Sequence, residues 1–341
     1  MIKEALSTLV DGRDLDEQIM VTVMNEIMSG DCTDAQIGAF ITALRMKGET
    51  VAEITGAARL MRRKAVKIEA LGADGLLLDI VGTGGDSSGT FNVSTTSAFV
   101  AAGAGVAVAK HGNRSISSRC GSADVLEALG VDLNMSPARI GQCVREIGIG
   151  FMFAPVMHGA MKYAIGPRRE IAIRTIFNIL GPLTNPAAAN VYLLGVYDPA
   201  LTEIMAEVLN NFGVKRALVV CGAGNIDEIT TTGVTRVSEA DGHKVTTYNI
   251  NPVDYGLAPA TLADIKGGET AQESARQLRD VLAGNPGSCY DVVIFNAGAA
   301  LWAAGRAADL AGGIELARQT IDSGAALIKL EALAAFSKND S

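Results

Sequence analysis

The chain has 341 residues, 48% of them hydrophobic and 19% charged, with a net charge of −8 and a pI near 5.0. At about 150 residues per domain this is enough for roughly two globular domains with a sizeable core. The acidic balance excludes nucleic acid and anionic membrane as general partners, so an anionic small substrate has to be drawn in by a few clustered cations.

Residues 1–67 read as helices only. Ile2, Ala5, Leu6 and Leu9 recur at helical spacing, and Ile19, Val23, Ile27 and Met28 carry a second stripe to Gly30, a C′ residue. Thr33 with Gln36, and Thr50 with Glu53, form capping boxes. Each opens an amphipathic helix, first Ile37, Phe40, Ile41 and Leu44, then Ile54, Ala57, Leu60 and Met61. Nothing in this region looks chemical; it is a small domain that packs or dimerises. Residues 68–75, with Gly72 and Gly75, read as a hinge.

From residue 76 strands and helices alternate. Leu76 to Val81 suits a buried strand, a helix starts near Ser94, and Val106 to Ala109 is a second short strand. Ser122 is expected to cap a helix through Val125, Leu126 and Leu129, closed by Gly130. Ser136-Pro137 opens another that ends at Gly148, and Ile149 to Phe153 is a strand. Residues 157–181 turn helical with the cations Lys162, Arg168, Arg169 and Arg174. Asn190 to Tyr197 and Arg216 to Cys221 are strands around a helix from Leu201 to Phe212. Val234 to Val237 and Lys244 to Asn249, split by Asp241-Gly242, form a hairpin. Helices fill most of 269–283 and 313–337. Tyr290 to Gly305 fits strand or helix, and its length favours helix.

The pattern is α/β: a small N-terminal all-helical domain over 1–68, then a larger α/β domain over 76–338 with a mainly parallel central sheet. Ligands of such sheets bind beyond the carboxyl ends of the strands. The cysteines (Cys32, Cys120, Cys143, Cys221, Cys289) are odd in number and lack C-x-x-C spacing, which suits reduced thiols in the cytosol and argues against zinc. Glu4, Asp11, Asp14 and Asp16 argue against a signal peptide. The apolar run Ala98 to Ala109 is short for a membrane span.

The chemistry concentrates between Asp79 and Ser122. After the first strand the chain breaks into Gly82-Thr83-Gly84-Gly85-Asp86, where missing Cβ atoms permit positive φ and a close approach of backbone N–H groups to an anion. A dense set of small donors follows (Ser87, Ser88, Thr90, Asn92, Ser94, Thr95). The start of the next helix adds unpaired N–H groups. The second strand then delivers Lys110-His111-Gly112-Asn113-Arg114, with Ser115, Ser117 and Ser118. Two such loops about 25 residues apart have the spacing of a βαβ unit built to hold phosphates. No GK[ST] follows the glycines, and Ser87 stands where the third glycine of a dinucleotide fingerprint would be. Further on, Asp227-Glu228 follows the strand 216–221 and a glycine-containing turn, which suits Mg²⁺ held by one or two carboxylates plus phosphate oxygens and water. Surface acidic pairs are common, however, and by itself this one has no claim on a metal.

GTGGD, FNVST, KHGNR-x-x-SS and CGSADVLEALG together resemble the anthranilate phosphoribosyltransferases. The likeness continues through Phe153-Ala154-Pro155, His158, Ala160-Met161-Lys162 and RTIFNILGPLTNPA (Arg174 to Ala187) and covers nearly the whole chain. The resemblance implies a nucleoside phosphorylase/phosphoribosyltransferase class-III-like fold. It implies transfer of a 5-phosphoribosyl group from phosphoribosyl pyrophosphate (PRPP) to the amine of anthranilate, with two Mg²⁺ ions. It places PRPP on Gly82, Gly85, Asp86, Thr90, Asn92, Val93, Ser94, Thr95, Lys110, His111, Gly112, Asn113, Arg114, Ser115, Ile116, Ser117, Ser118 and Ser122. Anthranilate falls on Gly82, Asn113 and Arg168, and the metal on Ser94, Asp227 and Glu228. It further implies a homodimer joined through the helical domain with helices from about 160–185; the cysteines and the acidic charge suit a cytoplasmic protein with no nucleic-acid or membrane partner.

Arg168 suits a bidentate grip on the acceptor carboxylate, a geometry Lys cannot copy; the resemblance selects it over Arg169. Gly159, Pro167 and Ala172 depart from the residues expected there, commonly Pro, Val and Gly. His111 and His158 offer themselves as bases, but a histidine beside a glycine turn or an apolar helix is more often structural. The rival activities are a pyrimidine nucleoside phosphorylase of the same fold, which needs no acidic metal pair, and a non-catalytic nucleic-acid-binding relative.

Overall fold

The structure, a computed structural model, describes residues 1–115 and 120–338. Four helices come first: α1 (Ile2–Val10), α2 (Glu17–Ser29), α3 (Asp34–Lys47) and α4 (Val51–Lys64). Both expected capping boxes form, and Gly30 ends α2 in the left-handed conformation at φ 83. The α/β region then runs β1 (Leu78–Gly82), α5 (Val93–Gly103), β2 (Val108–Gly112), α6 (Ser122–Ala128), α7 (Pro137–Ile147) and β3 (Ile149–Phe153). Next come α8 (Ala154–Met157), α9 (Lys162–Ile171) and α10 (Phe177–Leu180), followed by β4 (Val191–Gly195), α11 (Leu201–Asn211) and β5 (Arg216–Cys221). The hairpin β6 (Thr235–Ala240) and β7 (Val245–Ile250) precedes α12 (Ala271–Leu282), α13 (Ser288–Ala303), α14 (Leu310–Asp322) and α15 (Ala325–Lys338). The region 313–337 is therefore two helices, divided where Gly324 turns left-handed at φ 76. No helix among the described residues is long and apolar enough to cross a membrane.

The strands form one sheet in the order β3-β2-β1-β4-β5-β6-β7. β1 to β5 run parallel, and the hairpin adds two antiparallel strands at one edge. Their residues are buried on both faces, as a parallel sheet between helical layers requires. The chain builds outward from β1 to β3, then returns to lay β4 on the other side of β1. That reversal opens a crevice beyond the carboxyl ends of β1 and β4, where open α/β sheets bind ligands. The last residues of these strands, Gly82 and Gly195, are register partners at the floor of the crevice.

The helical region is tied to the sheet by Arg62 at the end of α4. Its guanidinium donates to the hydroxyl of Tyr192, a fully buried residue of β4, at 3.1 Å and lies 4.4 Å from the Phe212 ring. α9 packs back onto α2 and α3.

Candidate active site

The loop leaving β1 turns on left-handed residues: Gly84 at φ 65, Gly85 at φ 72 and Ser87 at φ 60. Ser87 carries a Cβ in a region that favours glycine, a local strain of the kind found at ligand loops. A second contributor arrives from far along the chain. Gly222 N donates to the Ile226 carbonyl at 2.8 Å, closing the turn after β5, and the chain then passes over the strand ends. There the Asp227 carboxylate accepts from Gly84 N at 2.6 Å. A Cβ at Gly82 would collide with that carboxylate, and one at Gly195 with the Asp227 carbonyl. The two floor glycines therefore make room for Asp227.

Glu228 reaches the start of α5. Its carboxylate accepts from Ser94 N and from the Thr90 hydroxyl, both at 3.3 Å. The N-cap residue of this helix, Asn92, makes no side-chain cap bond and instead donates to the Cys120 carbonyl at 3.2 Å. Glu228 thus supplies the negative charge that a helix N-terminus attracts. Asp86 is fixed by the Ser88 hydroxyl (2.6 Å) and amide (3.1 Å) and accepts from Asp227 N at 3.4 Å. Burial, then repulsion from Asp86, pushes the Asp227 carboxyl up. Glu228 is pushed well above its ordinary value by burial and then by both aspartates. Carboxylates gathered at such an electrostatic penalty, with a serine hydroxyl beside them, are a hard oxygen set that fits Mg²⁺. Among the described residues no three His, Cys, Asp or Glu side chains could hold a metal by themselves.

Lys110 lies opposite this set. β2 runs to Gly112, beyond the Ala109 expected from the sequence, so Lys110 and His111 are strand residues whose side chains point to opposite faces. Lys110 is 3% exposed and donates to the Ile80 carbonyl (2.6 Å) and the Ser94 hydroxyl (3.4 Å). Burial pulls its pKa down to about 8, against the attraction of Asp79, Glu228 and Asp227. Under it sits Asp79, fully buried and pushed up to about 6 by desolvation. Asp79 accepts from Asn185 Nδ2 (2.7 Å) and His111 N (3.2 Å), and Asn185 also donates to the Ala109 carbonyl at 2.9 Å. Sequence reasoning misses both Asp79 and Asn185, although an aspartate inside the run Leu76 to Val81 is a visible signal.

The His111 imidazole faces away from Lys110 and meets His158, ring centroids 5.0 Å apart. Both Nε2 atoms are buried without a hydrogen-bond partner among the described residues. Burial first, and neighbouring cationic or imidazole charge second, pulls His111 down to about 3 and His158 to about 4.

The loop after β2 is organised by α6. Asp124 accepts from Gly121 N (2.9 Å) and Ser115 N (3.1 Å), so the cap residue is Gly121 and Ser122 begins the helix, contrary to the capping role expected of it. The Ser122 hydroxyl instead donates to the Asn113 carbonyl at 3.1 Å. The Arg114 guanidinium is committed to Asp124 (2.8 Å) and Glu127 (2.9 Å) and does not point at the glycine loop. Val93 and Thr95, in the first turn of α5, are buried, and Val93 N donates to the Phe91 carbonyl at 2.7 Å. Ile116, Ser117 and Ser118 lie outside the described residues.

Arg168, in the last turn of α9, is half-buried with its guanidinium 5.1 Å from the Phe177 ring, whereas Arg169 is exposed. Burial lowers the Arg168 pKa. Two further contributors are not assigned to the site by sequence reasoning, which names Arg174 only as a cation and as the start of a motif. Arg174 donates to the Gly85 carbonyl while lying 4.3 Å from the Tyr197 ring. The segment after β7 clamps the loop from outside: Phe91 N donates to the Ile265 carbonyl (3.0 Å) and Gly267 N to the Gly89 carbonyl (2.9 Å).

Two family models match the chain: the helical bundle domain of a glycosyl transferase family over residues 3–65, and the a/b domain of a glycosyl transferase family over residues 74–327. The anthranilate phosphoribosyltransferase of Desulfotalea psychrophila is 60% identical over 98% of this chain and 97% of its own length. That of Trichlorobacter lovleyi is 54% identical over 98% and 99%. The crystal structure of the Thermus thermophilus anthranilate phosphoribosyltransferase superposes with a TM-score of 0.93 at 44% identity, covering 98% of this chain and 99% of that one. The Saccharomyces cerevisiae enzyme, solved in complex with PRPP and Mg, gives 0.88 at 27% identity, over 98% and 97%. The chain belongs to the anthranilate phosphoribosyltransferase family.

Proposed function

We propose that this protein transfers the 5-phosphoribosyl group of PRPP to the amine of anthranilate, giving N-(5-phosphoribosyl)anthranilate and pyrophosphate, in tryptophan biosynthesis. One observation carries the assignment of the site: the acidic pair reaches across 143 residues to bond the glycine loop at Gly84 N. A free-phosphate phosphorylase has no use for that convergence.

Gly82, Gly85 and Asp86, with Thr90 and the segment Asn92 to Thr95, cradle the pyrophosphate. Lys110 and the loop from His111 through Ser118 to Ser122 hold the 5-phosphate side. His111 contributes through its backbone, since its ring faces the other way. Ser94, Asp227 and Glu228 would hold two Mg²⁺ ions, which offset charge on the departing pyrophosphate when bound. Arg168 grips the anthranilate carboxylate, Asn113 orients the amine, and Gly82 lets the acceptor approach. The leaving group is already good, so positioning and fixed charge supply most of the rate and no strong base is needed. The helical domain, 1–68, with α9 against it, joins two copies into a cytoplasmic homodimer; its exposed Val10 (72%) and Met46 (84%) suit such a surface.

A fluorescence assay with anthranilate, PRPP and Mg²⁺ tests the reaction. Turnover is expected only with all three. Replacing Asp227 and Glu228 by Ala should abolish the Mg²⁺-dependent rate while far-UV circular dichroism stays unchanged; unaltered activity would remove their metal role.

A further inference from the structure

α13 is apolar on nearly every face, yet carries Asn296 at its centre, 2% exposed. Its amide does not face a ligand cavity. Oδ1 accepts from Ile229 N at 3.0 Å, and Nδ2 donates to the Ile229 carbonyl at 2.7 Å and to Val292 O at 2.8 Å. Ile229 directly follows Glu228. One side chain therefore takes both backbone polar groups of the residue after the acidic pair, as a neighbouring strand would. On the other side of the pair, Ile226 is pinned by Gly222 N at 2.8 Å. Asp227 and Glu228 are thus suspended between two backbone clamps.

Asp227 is held by its own 2.6 Å bond from Gly84 N, but the Glu228 carboxylate is not held tightly on its own account. The Glu228 bonds to Thr90 and Ser94, at 3.3 Å each, lie beyond the usual range for such contacts. Where Glu228 points is set by the backbone it hangs from. A polar amide in a buried helix is tolerated only because it is fully bonded, and these bonds end on the acidic loop. An aliphatic side chain of the same size would fill the space equally well and leave Ile229 N–H and C=O unpaired in the core.

We propose that Asn296 is a positioning residue for the metal-holding pair Asp227 and Glu228. This rests on the metal role given to them above. Asn296 touches neither substrate nor metal; it sets the peptide planes from which the two carboxylates reach the strand ends and the start of α5.

Asn296→Ser is the variant of choice. The serine hydroxyl can bond back to Val292 O, so it is not itself left unpaired, but it is too short to reach Ile229. Calorimetric titration of PRPP at fixed Mg²⁺, and again in excess chelator, reads the metal-dependent part of binding directly. The dissociation constant in Mg²⁺ is expected to rise about tenfold or more, the range seen when the group orienting a metal ligand is removed. Binding in chelator and KM for anthranilate should change by less than about twofold. The Mg²⁺ concentration giving half-maximal rate should rise in parallel, and excess Mg²⁺ should restore part of kcat. Asn296→Gln keeps the amide on a longer arm and serves if the serine variant does not fold.

A folded variant with unchanged Mg²⁺ dependence overturns the proposal. So does an equal loss for PRPP and anthranilate, or failure of both variants to fold, since either makes Asn296 a core residue only. Asp227→Ala measured alongside separates the two levels. If it too leaves Mg²⁺·PRPP binding unchanged, the metal assignment falls and this proposal with it. If it is defective while Asn296→Ser is normal, only the role of Asn296 is lost.

Discussion

The carbonyl oxygen of Asp227 occupies the space in which a side chain at Gly195 would begin. The obstacle is backbone and cannot swing aside as a flexible side chain would. Gly195→Ala must therefore lift the acidic loop off the strand ends or distort β4. We expect destabilisation of about 1–3 kcal/mol, typical of overpacking, and a fall of about 100-fold in kcat/KM, the cost of misplacing a site group by about 1 Å. Urea unfolding and steady-state kinetics check the two halves. A variant as stable and active as the parent would mean that the loop does not rest on Gly195.

Arg168→Ala should separate the two substrates. Arg168 is half-buried near the Phe177 ring, whereas Arg169 is exposed. Losing a desolvated cation that pairs with a carboxylate costs about 2–5 kcal/mol. KM for anthranilate should rise by about 100-fold or more, with KM for PRPP within about threefold. Arg169→Ala should leave both near their starting values. Equal effects of Arg168→Ala on both substrates would show that the acceptor grip lies elsewhere.

Ala172→Gly should stabilise the fold. Ala172 closes α9 at φ 49 and ψ 30, in the left-handed region. A side chain there costs about 1–2 kcal/mol, while glycine returns about 0.5–1 kcal/mol through unfolded-chain entropy. Relief of the strain outweighs the entropy, leaving a net gain of about 0.5–1 kcal/mol, readable in a thermal melt. A lower melting temperature would show that the cap is not strained.

The departure at Ala172 is visible in the sequence, but its meaning is not, because φ is set by where the chain must go after α9. Local signals elsewhere are direct. Capping boxes at Thr33 and Thr50 and the strands Ile149–Phe153 and Arg216–Cys221 follow from period and end chemistry alone. β2 runs past the end its pattern suggests because Lys110 and His111 interrupt its apolar run. Their burial is made possible by Asp79 and His158, residues far off in sequence. Ser122 looks like a cap because serine usually is one, and Asp124 takes the task. The meetings of Gly84 with Asp227, Gly85 with Arg174 and Ile229 with Asn296 have no local pattern; they follow from strand order, which periodicity does not encode.

His111 and His158 should make the protein sensitive to mild acid. Their folded values, about 3 and about 4, lie below the ordinary 6.5. As pH falls through 6.5 the unfolded chain takes up protons that the folded one refuses. Stability is therefore full above 6.5 and is lost on descent, at about 1.4 kcal/mol per pH unit for each histidine. Lys67 near His158, and Lys110 near His111, add to the penalty. Asp79, raised to about 6, works the other way between 6 and 3.8 and offsets part of the loss. The stability difference between the parent and His158→Gln, followed by urea unfolding from pH 7.5 to 4.5, isolates one imidazole. It should shift steadily in favour of the variant as acid is added; a difference independent of pH would mean that His158 takes up its proton in the fold as readily as in the unfolded chain.

The Arg174 guanidinium is shared between the Gly85 carbonyl and the Tyr197 ring, only six residues downstream of Arg168. The segment that follows α9 and the glycine bend after β1 are thereby fastened to each other. Neither can travel far without breaking that tether or dragging its counterpart along.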